Sequence, residues 1–287
     1  MKYKRSEFLK MGGSLAAAFA LRPNLFSAEL GNAKKLEKFG IQLWTVKKAL
    51  ASDTKGVLKQ LSLDGYKQVE SFEGKTGMFW GMSNTDFKKY MDELGMTIIS
   101  SHCETGKDFE KKAADASAIG MKYLLNAFVP VQKSVDDYKK VADTFNKNGE
   151  LCKNAGIRFG YHNHAHDFKV IDGQSAMDIY LQNTDPALVD FEMDIYWVVT
   201  ANQDPEAWLK KYKNRFRLCH IKDRIKGSKE EDASCILGQG SIDFKKILDT
   251  ARSNGMQYYI VEQERYDNTT EMDSAKADAD YLKNFAF

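Results

Sequence analysis

Two imidazoles and two carboxylates recur along the second half of the chain, each at the end of a β-rich run: His162, Asp194, His220 and Glu262. Such a set suits a divalent transition metal better than Ca²⁺ or Mg²⁺. We therefore predict one bound metal ion, with Mn²⁺ favoured and Zn²⁺, Co²⁺ or Fe²⁺ as the other choices. The alternative is a buried layer of ion pairs that holds no metal.

A second, overlapping group offers acid–base chemistry: Glu262, Glu264, His164 and Lys222. A metal can polarise a ketone and stabilise an enediolate oxyanion, and a base must then lift the neighbouring proton. Glu262, Glu264 and His164 are the candidate bases. Lys222 is predicted to hold a substrate oxygen, and its alternative role is an ion pair with Asp223 or Glu192.

Polar and aromatic residues near other strand ends are candidate substrate contacts: Trp44, Glu70, His102, Asn126 and Trp197. Aromatic faces suit the C–H faces of sugars and exclude water. Rim packing under helices is the alternative for the aromatic residues. For Glu70 and His102, the alternative is a supporting position behind the residues that contact substrate.

The elements that must position these residues alternate regularly. Strands are predicted near 39–43, 66–70, 96–101, 123–127, 158–162, 188–194, 217–222 and 258–262. Helices are predicted near 54–62, 84–94, 107–119, 134–155, 174–183, 204–213, 243–253 and 271–284. Eight βα units in about 250 residues indicate an α/β fold, a single (β/α)8 TIM barrel over residues 29–287. A doubly wound sheet is the alternative, but no GxGxxG follows the first strand.

Barrel active sites lie at the carboxyl ends of the strands. The predicted ends are all polar: Gln42, Glu70, His102, Asn126, His162, Asp194, His220 and Glu262. Because side chains alternate along a strand, Glu192 and Asp194 share the inward face of their strand. His220 and Lys222 share the inward face of the next strand.

Composition and charge limit the classes of ligand and partner that the chain can bind. Of 287 residues, 43% are hydrophobic and 12% aromatic, which is enough for a folded core. The net charge is +2, and an excess of +4 in residues 1–28 leaves −2 for residues 29–287. This balance argues against an electrostatic nucleic-acid binder, and so makes a phosphodiesterase that acts on DNA the least favoured alternative. We expect a small carbohydrate substrate and leave a homodimer open. The four cysteines lack CxxC spacing and are expected to be mostly buried thiols.

Residues 1–28 have the pattern of an export signal. A basic segment with Lys2, Lys4, Arg5 and Lys10 precedes a ten-residue apolar run at 12–21. That run is shorter than the roughly 20 residues a membrane-spanning helix needs, so no stable anchor is expected. Arg5-Ser6 is a degenerate twin-arginine pair, which leaves Tat and Sec export both open. The prediction is an exported, periplasmic protein.

Several segments resemble the xylose-isomerase-like TIM barrels. They are Tyr161-His162-Asn163-His164, Asp194, Cys219-His220-Ile221-Lys222-Asp223, Leu237–Phe244 and Val261-Glu262-Gln263-Glu264, and the likeness covers nearly all of the chain after residue 37. That superfamily includes sugar isomerases and epimerases, inosose dehydratase and endonuclease IV. The resemblance implies a metal held by His162, Asp194, His220 and Glu262.

One position departs from part of that superfamily. Its ketose 3-epimerases have a glutamate where His162 stands, and they use it with the strand-eight glutamate on opposite faces of the sugar. Here only Glu262, or its neighbour Glu264, remains of that pair. The Tyr-His-x-His run is closer to the inosose dehydratase branch, which removes a proton next to a ketone and expels a hydroxyl.

The predicted function is a sugar isomerase or epimerase acting through an enediolate on a non-phosphorylated sugar, keto-sugar or polyol. The alternative is a lyase that dehydrates an inosose or eliminates a group from a 3-keto-glycoside. A non-catalytic carbohydrate-binding barrel is a lesser alternative. Gly238-Gln239-Gly240 lacks the P-loop lysine pattern and is expected to be a flexible entry to the seventh helix.

Overall fold

Eight parallel strands close into a barrel in the computed structural model, which describes residues 35–287. They are β1 (Gly40–Gln42), β2 (Gln68–Phe72), β3 (Thr97–His102), β4 (Tyr123–Asn126), β5 (Arg158–His162), β6 (Val189–Asp194), β7 (Phe216–Ile221) and β8 (Tyr258–Val261). Each strand pairs with its sequence neighbour, and β8 closes the ring on β1. The predicted (β/α)8 barrel is confirmed. The predicted export signal at residues 1–28 lies outside the described residues.

Eight helices follow the strands: α1 (Thr54–Asp64), α2 (Asn84–Glu93), α3 (Phe109–Ala118), α4 (Val135–Ala155), α5 (Ala176–Asn183), α6 (Pro205–Lys211), α7 (Phe244–Ser253) and α8 (Glu271–Asn284). Four begin after a hydroxyl residue that accepts a hydrogen bond from the backbone N–H three residues later, at Ser83, Ser134, Ser175 and Thr270. These caps satisfy amides that the first helical turn leaves unpaired. Within residues 35–287 no helix is both long and apolar enough to cross a bilayer.

Further short elements follow the strands at the carboxyl rim. They are a 3₁₀ turn at Leu43–Val46, helical turns at Lys47–Ser52, Ala165–Phe168 and Ile195–Thr200, and two small hairpins at 170–175 and 223–235. These elements could not be predicted from the sequence, because segments of two to six residues show no clear periodicity. These elements surround the mouth of the barrel at the carboxyl ends of the strands.

The barrel interior changes from apolar to polar along the strands. Its base is an apolar group of Tyr123, Leu125, Leu218 and Ile260. Along β7 the next inward positions after Leu218 are His220 and Lys222, while Cys219 and Ile221 pack in the core outside the barrel. Asp194 is aligned with His220 across the β6–β7 pair. Strand alternation therefore lifts polar side chains to the carboxyl end, as the sequence predicts.

The segment Gly238–Gly240 is braced rather than flexible, which corrects the expectation above. The Asp223 carboxylate accepts the backbone N–H groups of Gly238 at 2.9 Å, Gly240 at 3.0 Å and Ile242 at 3.2 Å. A Cβ on Gly240 would overlap that carboxylate. Glycine therefore allows the chain to wrap around Asp223 before α7. All four cysteines are free, and Cys235 alone among them is partly exposed.

Candidate metal centre and active-site cavity

Four potential ligands from the ends of four consecutive strands meet at the barrel mouth. We call this group, His162, Asp194, His220 and Glu262, the upper cluster; one ligand atom from each lies within 4.8 Å of the others. His162 Nε2 lies 3.2 Å from His220 Nδ1 and 3.5 Å from Asp194 Oδ2. His220 Nδ1 lies 3.6 Å from Asp194 Oδ2 and 3.3 Å from Glu262 Oε2. The predicted metal ligands are therefore brought together.

The spacing and chemistry of the upper cluster fit a divalent cation. A tetrahedral metal with bonds of roughly 2.0–2.2 Å separates its ligand atoms by roughly 3.3–3.6 Å. Asp194 Oδ2 is buried and has no hydrogen-bond partner, whereas Asp194 Oδ1 accepts the Trp197 backbone N–H at 3.1 Å. A buried carboxylate oxygen without a donor is costly unless a cation faces it, and the Lys222 ammonium, 3.8 Å away, is beyond hydrogen-bond distance. These residues could hold the predicted metal.

A second group lies directly behind the first and shares His220. We call Glu70, His102, Glu192 and His220 the lower cluster. Glu70 Oε1 accepts Gln42 Nε2 at 2.8 Å and contacts His220 Nε2 at 2.7 Å, and Glu70 Oε2 accepts the Ser100 hydroxyl at 2.5 Å. His102 Nε2 lies 2.8 Å from Glu192 Oε2. In the described structure, Glu192 Oε1 is the one carboxylate oxygen of this cluster without a partner. Hydrogen bonds already use most of its ligand capacity.

His220 connects the two clusters through its two ring nitrogens. Its Nε2 faces the Glu70 carboxylate, and its Nδ1 faces the upper cluster. A carboxylate that accepts one imidazole N–H holds the ring in place and leaves the other nitrogen as a metal ligand. In a metal-bound His220, the 2.7 Å contact with Glu70 would place the proton on Nε2. Glu70 therefore supports His220.

Charges in the lower cluster compensate one another. Burial alone would lower the pKa of His102, but the Glu70 and Glu192 carboxylates outweigh it and raise that pKa to about 10. Burial alone would raise the pKa of Glu70, yet His102 and His220 hold it well below its usual range. The lower cluster thus contains a buried imidazolium between two carboxyl groups. Such a group is stable only because each charge has a partner.

Lys222 is buried beside the upper cluster. Its Nζ lies 2.8 Å from Glu264 Oε2, 3.1 Å from Glu262 Oε2 and 3.8 Å from Asp194 Oδ2. Its partners are thus Glu262 and Glu264 rather than Asp223 or Glu192, the pairs named from the sequence. Burial would lower the pKa of Lys222, but Glu262 and Asp194 outweigh it, and the pKa is raised. Lys222 is therefore a fixed positive charge.

His164 stands between the upper cluster and solvent. Its ring centroid lies 4.8 Å from that of His162 and 5.6 Å from that of Phe128. Its Nδ1 is buried without a hydrogen-bond partner. Burial, followed by the nearby His162, lowers the pKa of His164 to about 2. The ring is therefore a neutral imidazole.

A cavity of about 830 Å³ opens onto the upper cluster. His162, His164, Glu262 and Glu264 line one side of it, and loops after β1 to β4 line the rest. Of the predicted substrate contacts, Trp44, His102 and Asn126 line the cavity, whereas Glu70 and Trp197 do not. Among the predicted acid–base residues, Lys222 does not line it either. Phe128 also lines the cavity, and no signal in the sequence singled it out.

Asn126 holds a loop in place. Its Nδ2 donates to the Thr105 hydroxyl at 3.2 Å, and its Oδ1 accepts the Phe128 backbone N–H at 2.9 Å. His166 Nε2 lies 2.8 Å from the Val129 carbonyl oxygen in the same loop. The loop after β4 is therefore tied to the loops after β3 and β5.

Residues 58–285 match the family model described as xylose isomerase-like TIM barrel. This match covers most of the chain, so the chain belongs to that family, and a carbohydrate substrate fits it. A solved structure described as a sugar phosphate isomerase/epimerase from Parabacteroides distasonis is 32% identical, with a TM-score of 0.75. The alignment covers 91% of this chain and 98% of that one.

Curated relatives match over a shorter stretch. An inosose dehydratase from Clostridium perfringens is 30% identical over 159 residues, which is 50% of this chain and 50% of that protein. The match thus spans about half the length of such relatives. The IOLI protein with a bound zinc atom has the same fold, with a TM-score of 0.67 and 15% identity over 85% of this chain and 95% of that one.

Proposed function

We propose that this chain is a divalent-metal enzyme that removes a proton next to a carbonyl group of a non-phosphorylated sugar, keto-sugar or polyol. The observation that carries the proposal is the upper cluster, which contains the unpartnered Asp194 oxygen and lines a cavity through His162 and Glu262. Glu264 and His164 line that cavity, and Glu264 supplies an acid–base group. An isomerase or epimerase would return the proton to carbon.

Different residues have different roles in the proposed proton transfer. A bound metal would polarise the carbonyl and a neighbouring hydroxyl oxygen. Glu264 takes the proton from the α-carbon, and the C–H electron pair forms a C=C bond while the carbonyl oxygen gains negative charge. The lowered pKa of His164 makes its imidazole a poor base, so His164 is left as a neutral hydrogen-bonding group beside the substrate. Lys222 keeps Glu264 in place through its 2.8 Å contact. Delivery of the proton to the adjacent carbon, with the hydroxyl proton of that carbon passing to the former carbonyl oxygen, gives an isomer. Delivery of a proton to the opposite face of the α-carbon gives an epimer.

A lyase is the second candidate, and two observations favour it. The matched curated relatives are inosose dehydratases, and His162 stands where ketose 3-epimerases have one of their two acid–base glutamates. In a lyase the enolate electron pair expels a β-hydroxyl. The hydroxyl leaves as water after it receives a proton from the protonated base. Proton removal is shared by both candidates.

Charge in the cavity supports a substrate without phosphate. None of the described residues that line it is Lys or Arg, and the protonated His102 ring in the lining is already paired with Glu70 and Glu192. Glu73, Glu104, Glu262 and Glu264 also line the cavity. Carboxylates accept hydrogen bonds from sugar hydroxyls but repel a phosphate dianion. The phosphate in the name of the Parabacteroides distasonis protein therefore does not carry over to this proposal.

Deuterium uptake from solvent tests the proposal. Metal-loaded protein is incubated in D2O with free sugars, inososes and 3-keto-glycosides, and products are analysed by mass spectrometry. Deuterium in a product of unchanged formula supports the isomerase or epimerase, and uptake with loss of water or of an aglycone supports the lyase. Asp194→Asn is the matched inactive control. Absence of uptake in folded, metal-loaded protein with every compound contradicts enolisation.

We also propose Mn²⁺ as the metal and the periplasm as the location. Two imidazoles and two carboxylates support a transition metal, and the basic–apolar pattern of residues 1–28 supports export. Elemental analysis of protein purified from the source organism tests the first proposal; zinc, iron or cobalt in place of manganese would contradict it. N-terminal sequencing of the mature protein tests the second, and a protein that still begins at Met1 would contradict it.

A further inference from the structure

The cavity extends well beyond the upper cluster. Ligand pockets that enclose drug-sized molecules measure about 300–1,000 Å³, and this one measures about 830 Å³. The metal-binding side is formed by β5 and β8, while most of the lining comes from loops after β1, β2, β3 and β4. A single sugar ring held at the upper cluster would leave this second side open.

Two exposed aromatic rings lie on that open side. Among residues 35–287, the exposed large hydrophobic side chains are Trp44, Leu63, Phe128, Val131 and Val170. The two aromatic members, Trp44 at 38% and Phe128 at 57% exposure, both line the cavity. Leaving a phenylalanine in water forgoes about 1.5–3 kcal/mol of burial free energy. A ligand ring that covers these side chains would recover part of it.

Both rings are held in position before any ligand arrives. The Phe128 loop is fixed by the Asn126 and His166 contacts described above. The Trp44 backbone N–H donates to Gln42 Oε1 at 3.1 Å, and its indole packs edge-on against Phe72 at 4.8 Å. Lys47 Nζ lies over one face of the Trp44 ring, 3.7 Å from its centroid, so a ligand ring would have to use the rest of the indole surface. Rings fixed in this way bind a partner without a further loss of conformational freedom.

The two sides of the cavity are close enough for one ligand. Successive ring centroids run from His162 to His164 at 4.8 Å and from His164 to Phe128 at 5.6 Å. Phe128 therefore lies just past the residue that borders the upper cluster. A second ring joined directly to a metal-bound sugar would reach it.

We propose that Phe128, together with Trp44 on another wall of the same cavity, binds a second ring, so that the substrate is a neutral keto-glycoside, whose sugar ring keeps a carbonyl for enolisation and whose aglycone carries a ring, rather than a monosaccharide. This inference rests on the proposed function for its first subsite. Aromatic stacking contributes about 0.5–1.5 kcal/mol beyond buried area.

Calorimetric titration of metal-loaded protein with methyl and phenyl β-D-glucosides and β-D-galactosides tests the subsite. We expect a phenyl glycoside to bind about fivefold to tenfold more tightly than its methyl counterpart. Phe128→Ala and Trp44→Ala should each reduce that preference toward unity. Val131→Ala is the matched control, since Val131 is 60% exposed just beyond Phe128 but does not line the cavity.

The outcomes separate the subsite from the reaction. Equal binding of the two glycosides, binding of neither, or an unchanged preference in Phe128→Ala would overturn the subsite. If the preference and its loss in Phe128→Ala appear without deuterium uptake from any compound, the subsite stands and the proposed enolisation fails. If uptake occurs only with monosaccharides and no preference is seen, the reaction stands and the subsite fails.

Discussion

The upper and lower clusters use the same residue types and share His220, yet they differ in how their atoms are satisfied. In the lower cluster, Gln42 and Ser100 donate to Glu70, and His102 pairs with Glu192. In the upper cluster, two imidazole nitrogens and the unpartnered oxygen of Asp194 converge on one point. Residue type alone therefore does not define a metal site. The feature that favours the upper cluster is that its unpartnered oxygen, Asp194 Oδ2, lies 3.5 Å from His162 Nε2 and 3.6 Å from His220 Nδ1.

The largest expected effect comes from the unpaired oxygen. Asp194→Asn keeps an oxygen that can accept the Trp197 N–H but replaces the other carboxylate oxygen with a donor. We expect loss of bound metal and a fall in turnover of at least about 1,000-fold, since removal of an outer partner alone costs 10–100-fold. Elemental analysis and the deuterium assay measure both. Full activity in this variant would mean that the upper cluster is not the metal site.

A smaller effect is expected from the lower cluster. Glu70→Gln weakens the negative charge facing His220 Nε2 but preserves the side-chain shape. We expect metal affinity to fall by about 10–100-fold while the fold persists. Calorimetric titration with Mn²⁺ measures the affinity, and circular dichroism checks the fold. An affinity equal to that of the unchanged protein would show that Glu70 does not position His220.

Removing the metal with a chelator should show, through the thermal stability of the protein, which cluster binds the metal. Metal at 100 times its dissociation constant adds about 2.7 kcal/mol of stability, which corresponds to a Tm change of roughly 5–10 °C for a domain of this size. EDTA should lower the Tm of the unchanged protein by that amount and leave Asp194→Asn unaffected. Calorimetry checks the result. An equal decrease in both proteins would place the metal outside the upper cluster.

The smallest effect concerns a buried acid without neighbouring imidazoles. Asp278 Oδ1 accepts the Leu237 N–H at 2.8 Å, and Oδ2 has no partner. Burial raises the pKa of Asp278 to about 8, whereas Lys222 and two histidines overcome burial at Asp194 and lower its pKa. Asp194 and Asp278 each have one unpaired carboxylate oxygen, yet Asp194 favours the ionised form and Asp278 the protonated form.

Because the Asp278 pKa is about 8 when folded and about 3.9 when unfolded, the folded state holds a proton that the unfolded state releases between these pH values. Its contribution to stability falls as pH rises through that window, by about 1.4 kcal/mol between pH 6 and 7. Asp278→Asn should remove this slope. Urea unfolding at several pH values measures it, and parallel slopes in both proteins would contradict the argument.

The barrel could be predicted closely because the sequence of each strand and helix carries its own local pattern of apolar and polar residues. β-rich runs placed all eight strands within two residues of their observed ends. Strand alternation then predicted the inward direction of Glu192, Asp194 and His220. Those directions depend only on the two-residue period of a strand.

What could not be predicted depends on contacts between distant segments. The partners of Lys222 are set by the alignment of β7 with β8, which no local pattern encodes. The pairing of Glu70 with His220 joins residues far apart in the chain. The sequence around Phe128 contains no pattern that marks it as a cavity residue, because its place at the cavity follows from the hydrogen bonds of Asn126.

Anomalous diffraction from Mn²⁺-loaded crystals tests the central claim most directly. The account predicts one anomalous peak in the barrel, within about 2.0–2.3 Å of His162 Nε2, Asp194 Oδ2 and His220 Nδ1. Density for Glu70 should still contact His220 Nε2. A peak among Glu70, His102 and Glu192, or no peak in the barrel at saturating Mn²⁺, would contradict the assignment of the metal to the upper cluster.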